Sequence, residues 1–287
     1  MHFIASGFVL LKKKSMDFSI KLSNGMILSG MVQSPGENAR GMIILVHGLG
    51  EHIQRYTHWA EYFKNQGIGF IGVDMPGHGR SPGRRGNVSS FALVKEMIDI
   101  LLNTSRQTFP GIPLYLYGHS LGGGLALNYL VRTNPKVNGA IITSPWLKLS
   151  FAPSRAKLAL ASLLNHILPG FVQSSGLNPD DLSHDPEVVN RYKNDPLVHG
   201  KISVSLFNIA VKAAKFTLEN PSSLKVRTLL LHGSDDKICS PEGSREFASG
   251  SSKTDLKIFE GGYHELHNEP FKIEVFNYII KWLENKL

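Results

Sequence analysis

One segment of the sequence can supply a nucleophile. Residues 118–122 match the pattern G-x-S-x-G, with Ser120 at its centre. The strand-like run Ile112–Tyr117 precedes the pattern, and a helical pattern containing further glycines follows it. A strand, a tight turn and a helix in this order are typical of a nucleophile elbow, which raises a serine hydroxyl above the end of a sheet. A serine placed in this way attacks a carbonyl carbon if a neighbouring base removes its proton.

Two later segments can provide that base and an acid to orient it. The strand pattern Arg227–Leu231 is followed by Asp235 and Asp236, and the strand pattern Leu256–Phe259 is followed by His264. Serine, acid and histidine follow one another in this order in proteins with a nucleophile elbow. We therefore predict that His264 takes the proton of Ser120 and that one of the two aspartates holds the imidazole. The other aspartate is expected to cap the helix near Pro241.

Two backbone amides are expected to stabilise the oxyanion of an acyl-transfer intermediate. A tetrahedral intermediate needs preorganised N–H donors. The first donor is the amide of Leu121, which directly follows the nucleophile. The second is the amide of Leu49, because the strand Met42–Val46 ends in the glycine-rich turn 47–50.

Metal and nucleotide chemistry are disfavoured. The segment 264–267 superficially resembles a zinc motif, but its histidines are three residues apart rather than four, and no cysteine pair accompanies them. The loop 77–81 has Pro82 where a dinucleotide-binding loop would have its third glycine, so we interpret it as a structural turn. The sequence predicts no metal and no cofactor.

The elements that must position these residues alternate between strands and helices. Apolar runs bounded by glycine alternate with longer amphipathic patterns, which indicates an α/β fold with a mostly parallel sheet and helices on both faces. The predicted strands are Gly41–Val46, Gly69–Val73, Leu114–Tyr117, Val137–Thr143, Arg227–Leu231 and Leu256–Phe259. The predicted helices are Thr57–Gln66, Ser90–Gln107, Leu121–Thr133, Pro241–Ala248 and Glu269–Glu284. Phe18–Val32 is predicted to be a hairpin with Asn24-Gly25 as its turn.

One region interrupts the alternation. No strand pattern recurs between Trp146 and about Asn220, where two helical patterns, Leu158–Leu168 and Ile202–Leu218, flank a loop-like stretch, Pro169–Asp195. An insertion at this point would lie over the carboxyl ends of the strands, where ligands bind. We therefore predict an N-terminal extension (1–16), a helical cap (146–220) and a core made of residues 17–145 and 221–287. The alternative is that the insertion is a separate structural domain.

The composition limits the partners and the compartment. The 287 residues are 42% hydrophobic and 19% charged, with a net charge of 31 − 23 = +8 and a single cysteine. No apolar run reaches the roughly 18 residues of a membrane span, and the charge order at the N-terminus is the reverse of a secretion signal. We expect a cytoplasmic protein, with peripheral or transient membrane contact through the cap. The scattered basic residues carry no nucleic-acid motif, so no nucleic acid partner is expected, and the oligomeric state is left open.

Six segments in this order resemble a known family. They are His47–His52 with Arg55-Tyr56, Asp74–Ser81, Gly118–Gly122, Tyr192–Leu197, Gly233–Asp236 and Glu260–His267. Together they resemble the monoacylglycerol lipase group of α/β-hydrolases, whose bacterial members are often labelled lysophospholipases and which is grouped with the serine aminopeptidase S33 domain. The resemblance extends from about Phe18 to Leu287 and includes the cap.

The resemblance implies an α/β-hydrolase fold in which a cap guards an acyl tunnel. It assigns the acid to Asp236 and supports Leu49 and Leu121 as oxyanion donors. It implies a head-group pocket formed by Glu51, Arg55, His119, Tyr192 and His267. The implied activity is cleavage of monoacylglycerols, a small lipid substrate, through an acyl-enzyme. The alternatives are a lysophospholipase or general carboxylesterase, an S33-type aminopeptidase, and a non-catalytic binding protein on the same fold.

Overall fold

An eight-stranded sheet forms the centre of the protein. The computed structural model describes residues 16–151, residue 163 and residues 167–284. The strands of the sheet lie in the order β1-β2-β4-β3-β5-β6-β9-β10, and β7 and β8 pair separately. The strands are β1 (Met16–Lys21), β2 (Ile27–Gln33), β3 (Gly41–Val46), β4 (Ile68–Val73), β5 (Leu114–His119), β6 (Gly139–Thr143), β7 (Val172–Ser174), β8 (Lys201–Ser203), β9 (Thr228–Gly233) and β10 (Thr254–Phe259). The helices are α1 (Thr57–Asn65), α2 (Phe91–Thr108), α3 (Ser120–Thr133), α4 (Pro186–Asn194), α5 (Val204–Glu219), α6 (Pro241–Ser249) and α7 (Lys272–Glu284).

The six strands from β4 to β10 in the sheet order are parallel to one another. Their carboxyl ends therefore meet at one edge, which brings together the loops that follow β3, β5, β6, β9 and β10. β1 and β2 form an antiparallel hairpin, as predicted, and Gly25 adopts a positive φ of 85° in its turn. The hairpin places β2 antiparallel to β4 at one side of the sheet.

Side chains of the central strands are buried on both faces of the sheet. Along β3, Ile44 and Val46 pack in one apolar cluster with residues of α2, α3 and α5, such as Leu206. The alternate residues Ile43 and Leu45 pack on the other face with residues of α1 and α7, which include Trp59, Phe63 and Phe276. A strand covered on both faces needs a continuous apolar run rather than an alternating one. The prediction of a mostly parallel sheet with helices on both faces is confirmed.

The insertion between β6 and β9 differs from the prediction in one respect. The stretch Pro169–Asp195, predicted to be loop-like, contains the short strand β7 and the helix α4. α4 forms because Pro186 occupies its first turn and Asp185 caps it, with Oδ1 accepting from the Glu187 amide at 2.9 Å. Most of the predicted helix Leu158–Leu168 lies outside the described residues. The predicted helix Ile202–Leu218 is found as α5, which packs along α3.

Residues 1–15 of the predicted N-terminal extension lie outside the described residues. Met16, assigned to that extension, instead begins β1, where it pairs with Val32. Among the described residues, no helix has both the length and the apolar character required to cross a bilayer.

Candidate active site

Ser120 lies at the junction of β5 and α3 with a φ of 54°, a left-handed conformation that is uncommon for a residue other than glycine. The surrounding glycines permit this tight turn. A Cβ added to Gly122 would lie 2.2 Å from the carbonyl oxygens of both Val46 and His47, and one added to Gly118 would lie 2.8 Å from that of Gly122. α3 thus packs closely against the ends of both β3 and β5, and Ser120 lies at the carboxyl edge of the sheet.

A chain of hydrogen bonds joins Ser120 to His264 and Asp236. His264 Nε2 lies 2.8 Å from Ser120 Oγ, and His264 Nδ1 lies 2.7 Å from Asp236 Oδ2. All three side chains are buried, although the serine and the histidine lie 144 positions apart along the chain. Because Asp236 accepts from Nδ1, the neutral ring has its hydrogen there and its lone pair on Nε2, facing the serine hydroxyl.

The electrostatics of His264 suit a proton acceptor. Burial alone lowers the pKa of His264, but the charge and hydrogen bond of Asp236 outweigh it and raise this pKa above the ordinary value. Burial alone raises the pKa of Asp236. The two imidazoles beside it, His264 and His232, outweigh burial and bring this pKa well below its ordinary value. Asp236 is therefore ionised throughout the neutral range and can stabilise an imidazolium.

The two adjacent aspartates have different environments. Asp236 is buried, and its Oδ1 accepts from the amides of Ile238 and Cys239 at 2.8 and 2.9 Å. Asp235 is exposed, and its Oδ1 accepts from the Ser234 hydroxyl. The expectation that the second aspartate caps the helix near Pro241 is wrong, because Ser240 caps α6.

Backbone contacts hold His264 in place. The Ser144 hydroxyl donates to the His264 carbonyl at 2.8 Å, and Ser144 itself has a positive φ of 44°. The Glu265 amide donates at 2.8 Å to the carbonyl of Leu182 in the insertion. The loop that carries His264 is therefore attached both to the end of β6 and to the insertion.

The loop after β3 lies directly against Ser120. A Cβ added to Gly48 would lie 3.2 Å from Ser120 Cβ, so the neighbouring Leu49 amide is close to the reaction centre. Leu121 lies in the first turn of α3, where amide hydrogens have no acceptor within the helix. The loop is also attached to the insertion, because the His199 amide donates to the Gly50 carbonyl at 2.9 Å.

Two of the predicted head-group residues are occupied by internal contacts. Glu51 Oε1 accepts from the Gly48 amide at 2.5 Å and from the Tyr56 hydroxyl at 2.8 Å. Arg55 donates to Glu51 Oε2 at 2.9 Å and makes a bidentate pair with Glu265 at 2.6 and 2.8 Å. Arg55 thus joins the loop after β3 to the residue that follows His264.

The other three predicted head-group residues lie nearby. Tyr192 of α4 packs under the Arg55 guanidinium, whose central carbon is 4.8 Å from the ring centroid. The His119 ring lies between those of His264 and His267, at centroid distances of 4.9 and 4.8 Å. His267 is fully buried with no hydrogen-bond partner recorded for either ring nitrogen among the described residues, and burial lowers its pKa to about 3.

The sequence reasoning missed three features of this region. Glu265 was not recognised as the partner of Arg55, and His232 was not recognised as a second histidine on Asp236, which it contacts at 3.1 Å. An apolar cluster also adjoins the acid, formed by Leu182, Tyr192, Ile238 and Cys239 with Trp146, Leu149, Leu177 and Val198 packed against it. The spacing of four residues between His232 and Asp236, just after a strand, is the one sequence signal that was available.

The chain is similar to known proteins in both sequence and fold. A model of the family described as serine aminopeptidase, S33 matches residues 37–271. The chain is 30% identical over 259 residues to the monoacylglycerol lipase of Mycolicibacterium smegmatis, covering 89% of this chain and 92% of that protein. It is 36% identical over 250 residues to an abhydrolase domain-containing protein of Dictyostelium discoideum, covering 85% of this chain but 26% of that longer protein. The crystal structure of Paleococcus ferrophilus monoacylglycerol lipase superposes with a TM-score of 0.83 at 34% identity, covering 91% of this chain and 99% of that one.

Proposed function

Because the chain belongs to the serine aminopeptidase S33 family, and its full-length relatives include monoacylglycerol lipases, we propose that it is a serine esterase that cleaves monoacylglycerols to fatty acid and glycerol. The predicted α/β-hydrolase fold is confirmed by the structural likeness to one of those lipases. The observation that carries the proposed chemistry is the hydrogen-bonded series of Ser120, His264 and Asp236, with distances of 2.8 and 2.7 Å.

The reaction proceeds in two halves. His264 Nε2 removes the proton of Ser120 as Oγ attacks the ester carbonyl, and Asp236 stabilises the resulting imidazolium. The amides of Leu49 and Leu121 donate to the oxyanion of the tetrahedral intermediate. His264 then protonates the departing alkoxide, which releases glycerol and leaves the acyl group on Ser120. Water, deprotonated by His264, attacks the acyl-enzyme in the same way and releases the fatty acid.

The unpartnered ring of His267 favours an alcohol as the leaving group. A neutral imidazole has one donor and one acceptor, and a hydroxyl also offers one of each. Burying such a ring with neither nitrogen paired is unfavourable, and a hydroxyl of the substrate that reaches the ring would remove the penalty. On the acyl side, the apolar cluster that includes Ile238 and Cys239 can remove a fatty chain from water, at about 0.8 kcal/mol for each buried methylene.

Aminopeptidase activity is less compatible with the charges at the site. A substrate amino group needs a carboxylate free to accept it. Glu51 and Glu265 lie near the centre, but each is paired with Arg55 and also accepts from another donor. The guanidinium offsets one of the two negative charges and occupies oxygens of both carboxylates. A neutral polyol head group requires no such carboxylate.

A substrate panel tests the proposal. We expect hydrolysis of monoacylglycerols to exceed that of diacylglycerols, triacylglycerols, lysophosphatidylcholine and an aminoacyl-naphthylamide. Ser120→Ala should abolish turnover of a p-nitrophenyl ester and labelling by a fluorophosphonate, with an unchanged circular dichroism spectrum. A preference for the lysolipid would identify a lysophospholipid as the substrate. Retained turnover in Ser120→Ala would show that Ser120 is not the nucleophile.

We also propose that the cap region contacts a lipid surface. Five large apolar side chains of this region are between 48% and 64% exposed; they are Phe151, Leu163, Ile167, Leu168 and Phe171. Arg84, which is exposed, donates to the neighbouring Gly170 carbonyl at 2.9 Å, and the exposed Lys201 adds a second cation to this region. An apolar patch beside cations is suited to an anionic membrane surface.

Vesicle sedimentation tests this contact. Phe171→Ser should weaken binding to vesicles that contain phosphatidylglycerol, with little change in turnover of a water-soluble ester. Ile27→Ser is a matched control, since Ile27 is equally exposed at 48% but lies on β2. Equal binding by the two variants would contradict the assignment of the contact to the cap.

A further inference from the structure

A second histidine contacts the carboxylate of Asp236 in addition to His264. His232 lies near the end of β9 and is completely buried. Its Nε2 is 3.1 Å from Asp236 Oδ2 and 2.9 Å from the Cys239 carbonyl oxygen. Both neighbours are acceptors, so the neutral ring has its hydrogen on Nε2. Nδ1 then accepts from the hydroxyl of Ser244, a buried residue of α6, at 2.7 Å.

These contacts complete the hydrogen bonding of Asp236. A carboxylate has about four lone-pair positions. Two backbone amides donate to Oδ1, while His264 and His232 donate to Oδ2. With donors on both oxygens, rotation of the carboxylate breaks several hydrogen bonds at once. The chain Ser244–His232–Asp236–His264–Ser120 thus has a serine and a histidine on each side of the acid.

We propose that His232, held by Ser244, is a positioning residue for hydrolysis: its Nε2–H keeps Asp236 Oδ2 directed at His264 and moderates the negative charge that His264 meets. This proposal rests on the proposed function, because it assigns His232 a part in the same reaction. If the donor is lost, Oδ2 has more negative charge available for the imidazolium, which raises the pKa of His264. The carboxylate also gains freedom to turn away from Nδ1.

Other ionisable groups also face His264 and must be held constant. They come from the loop after β3, the end of β5, the loop after β9 and the segment that follows the histidine; they are Glu51, His119, Asp236, Glu265 and His267. Substitution at position 232 leaves these side chains in place, and among them it removes a direct hydrogen bond of Asp236 alone. A shift in the pH profile can therefore be traced to the contact with Asp236.

Three substitutions of His232 separate the effect of losing the Nε2–H donor from the effect of losing the volume of the ring. His232→Leu fills similar space without a donor. His232→Asn keeps a polar partner for Ser244 but is too short to reach Asp236. His232→Gln can place an amide N–H where Nε2 stood. Thr228→Val is the control, since Thr228 is buried on the same strand and loses one hydrogen bond, to the Val226 carbonyl.

The readout is the pH dependence of kcat/KM on a p-nitrophenyl ester, with thermal unfolding measured for each variant. In the Leu and Asn variants we expect the acid-limb pKa to rise by about 0.5–1 unit and kcat/KM at its optimum to fall about tenfold. His232→Gln and Thr228→Val should keep the wild-type profile. If the Leu variant does not fold, the Asn variant decides the matter.

An unchanged acid limb in the folded Leu or Asn variant overturns the positioning role. The low-field proton resonance of His264 Nδ1–H provides a second readout that needs no turnover, and we expect it to shift in the same two variants. If the wild type hydrolyses no ester, the proposed function fails, and this resonance still reports whether His232 acts on the pair of Asp236 and His264.

Discussion

Replacement of Arg55 by methionine tests whether the network behind the reaction centre is structural. The Arg55 side chain is 10% exposed, and the Glu51 and Glu265 side chains are 3% and 2% exposed. Removing one member of a buried ion pair costs about 3–5 kcal/mol, because the remaining charge is left without a partner. At about 2–4 °C per kcal/mol in a chain of this size, we expect the melting temperature to fall by about 10 °C. Activity should fall as well, because Glu51 holds the Gly48 amide and Glu265 follows His264.

The pH dependence of this loss follows from the carboxylates. Burial raises the pKa of Glu265, but Arg55 outweighs burial and brings it below the ordinary 4.5 in the wild type. The ion pair therefore stabilises the folded wild type fully at pH values above 4.5. This contribution is lost as the pH falls through the lowered pKa of Glu265. Without Arg55, burial raises the pKa of Glu265. The loss of unfolding free energy should therefore be largest near pH 8, where the carboxylate is charged, and should be smaller near pH 5.

Urea unfolding at pH 8 and pH 5 measures both effects. Arg40→Met is the matched control, since Arg40 pairs with Glu284 at 3.4 Å across an exposed surface and should contribute about 0–1 kcal/mol. Adding Glu265→Gln to Arg55→Met removes one unpaired charge and should recover part of the stability. If the unfolding free energy of Arg55→Met lies within about 1 kcal/mol of the wild-type value at both pH values, the Arg55 network does not stabilise the fold as predicted.

Three further predictions concern the reaction centre itself. Asp236→Asn should lower kcat by about 10³–10⁴, because the amide favours the wrong tautomer of His264. Stopped assays of ester hydrolysis by the variant and by the wild type test this. The kcat/KM of the wild type should rise with pH and then level off, with a midpoint above pH 6.5. The reaction needs neutral His264, and Asp236 outweighs burial in setting the pKa of that residue. A midpoint below pH 6.5 would contradict this. Gly122→Ala should give little folded protein, since its Cβ would lie 2.2 Å from two backbone oxygens, and wild-type expression and melting temperature would refute the account of the elbow.

The sequence was sufficient to predict the elements that carry the reactive residues. Ser120 and His264 each follow a buried strand pattern, and parallel strands present their carboxyl ends at one edge. α4 was missed although its signals were present, because Asp185 and Pro186 form a recognisable helix start. The weak apolar character of that helix concealed it within a polar stretch.

Contacts between distant residues could not be predicted. Arg55 and Glu265 are 210 positions apart, and nothing in either local pattern indicates their pairing. The choice between Asp235 and Asp236 rested on the family resemblance, because the local pattern leaves it open. Neighbouring side chains in a turn point in different directions, and the amides of Ile238 and Cys239 that select one carboxylate become visible once the backbone is known.

The attachments of the insertion to the core limit how a substrate can enter. Between Leu182 and His199 the insertion is tied by backbone hydrogen bonds to the loop carrying His264 and to the loop after β3. Moving this stretch away from the core would break these hydrogen bonds, which attach it to the loops that contain Leu49 and His264. A site bordered by a stretch that is already held in place loses less conformational entropy when it binds a ligand.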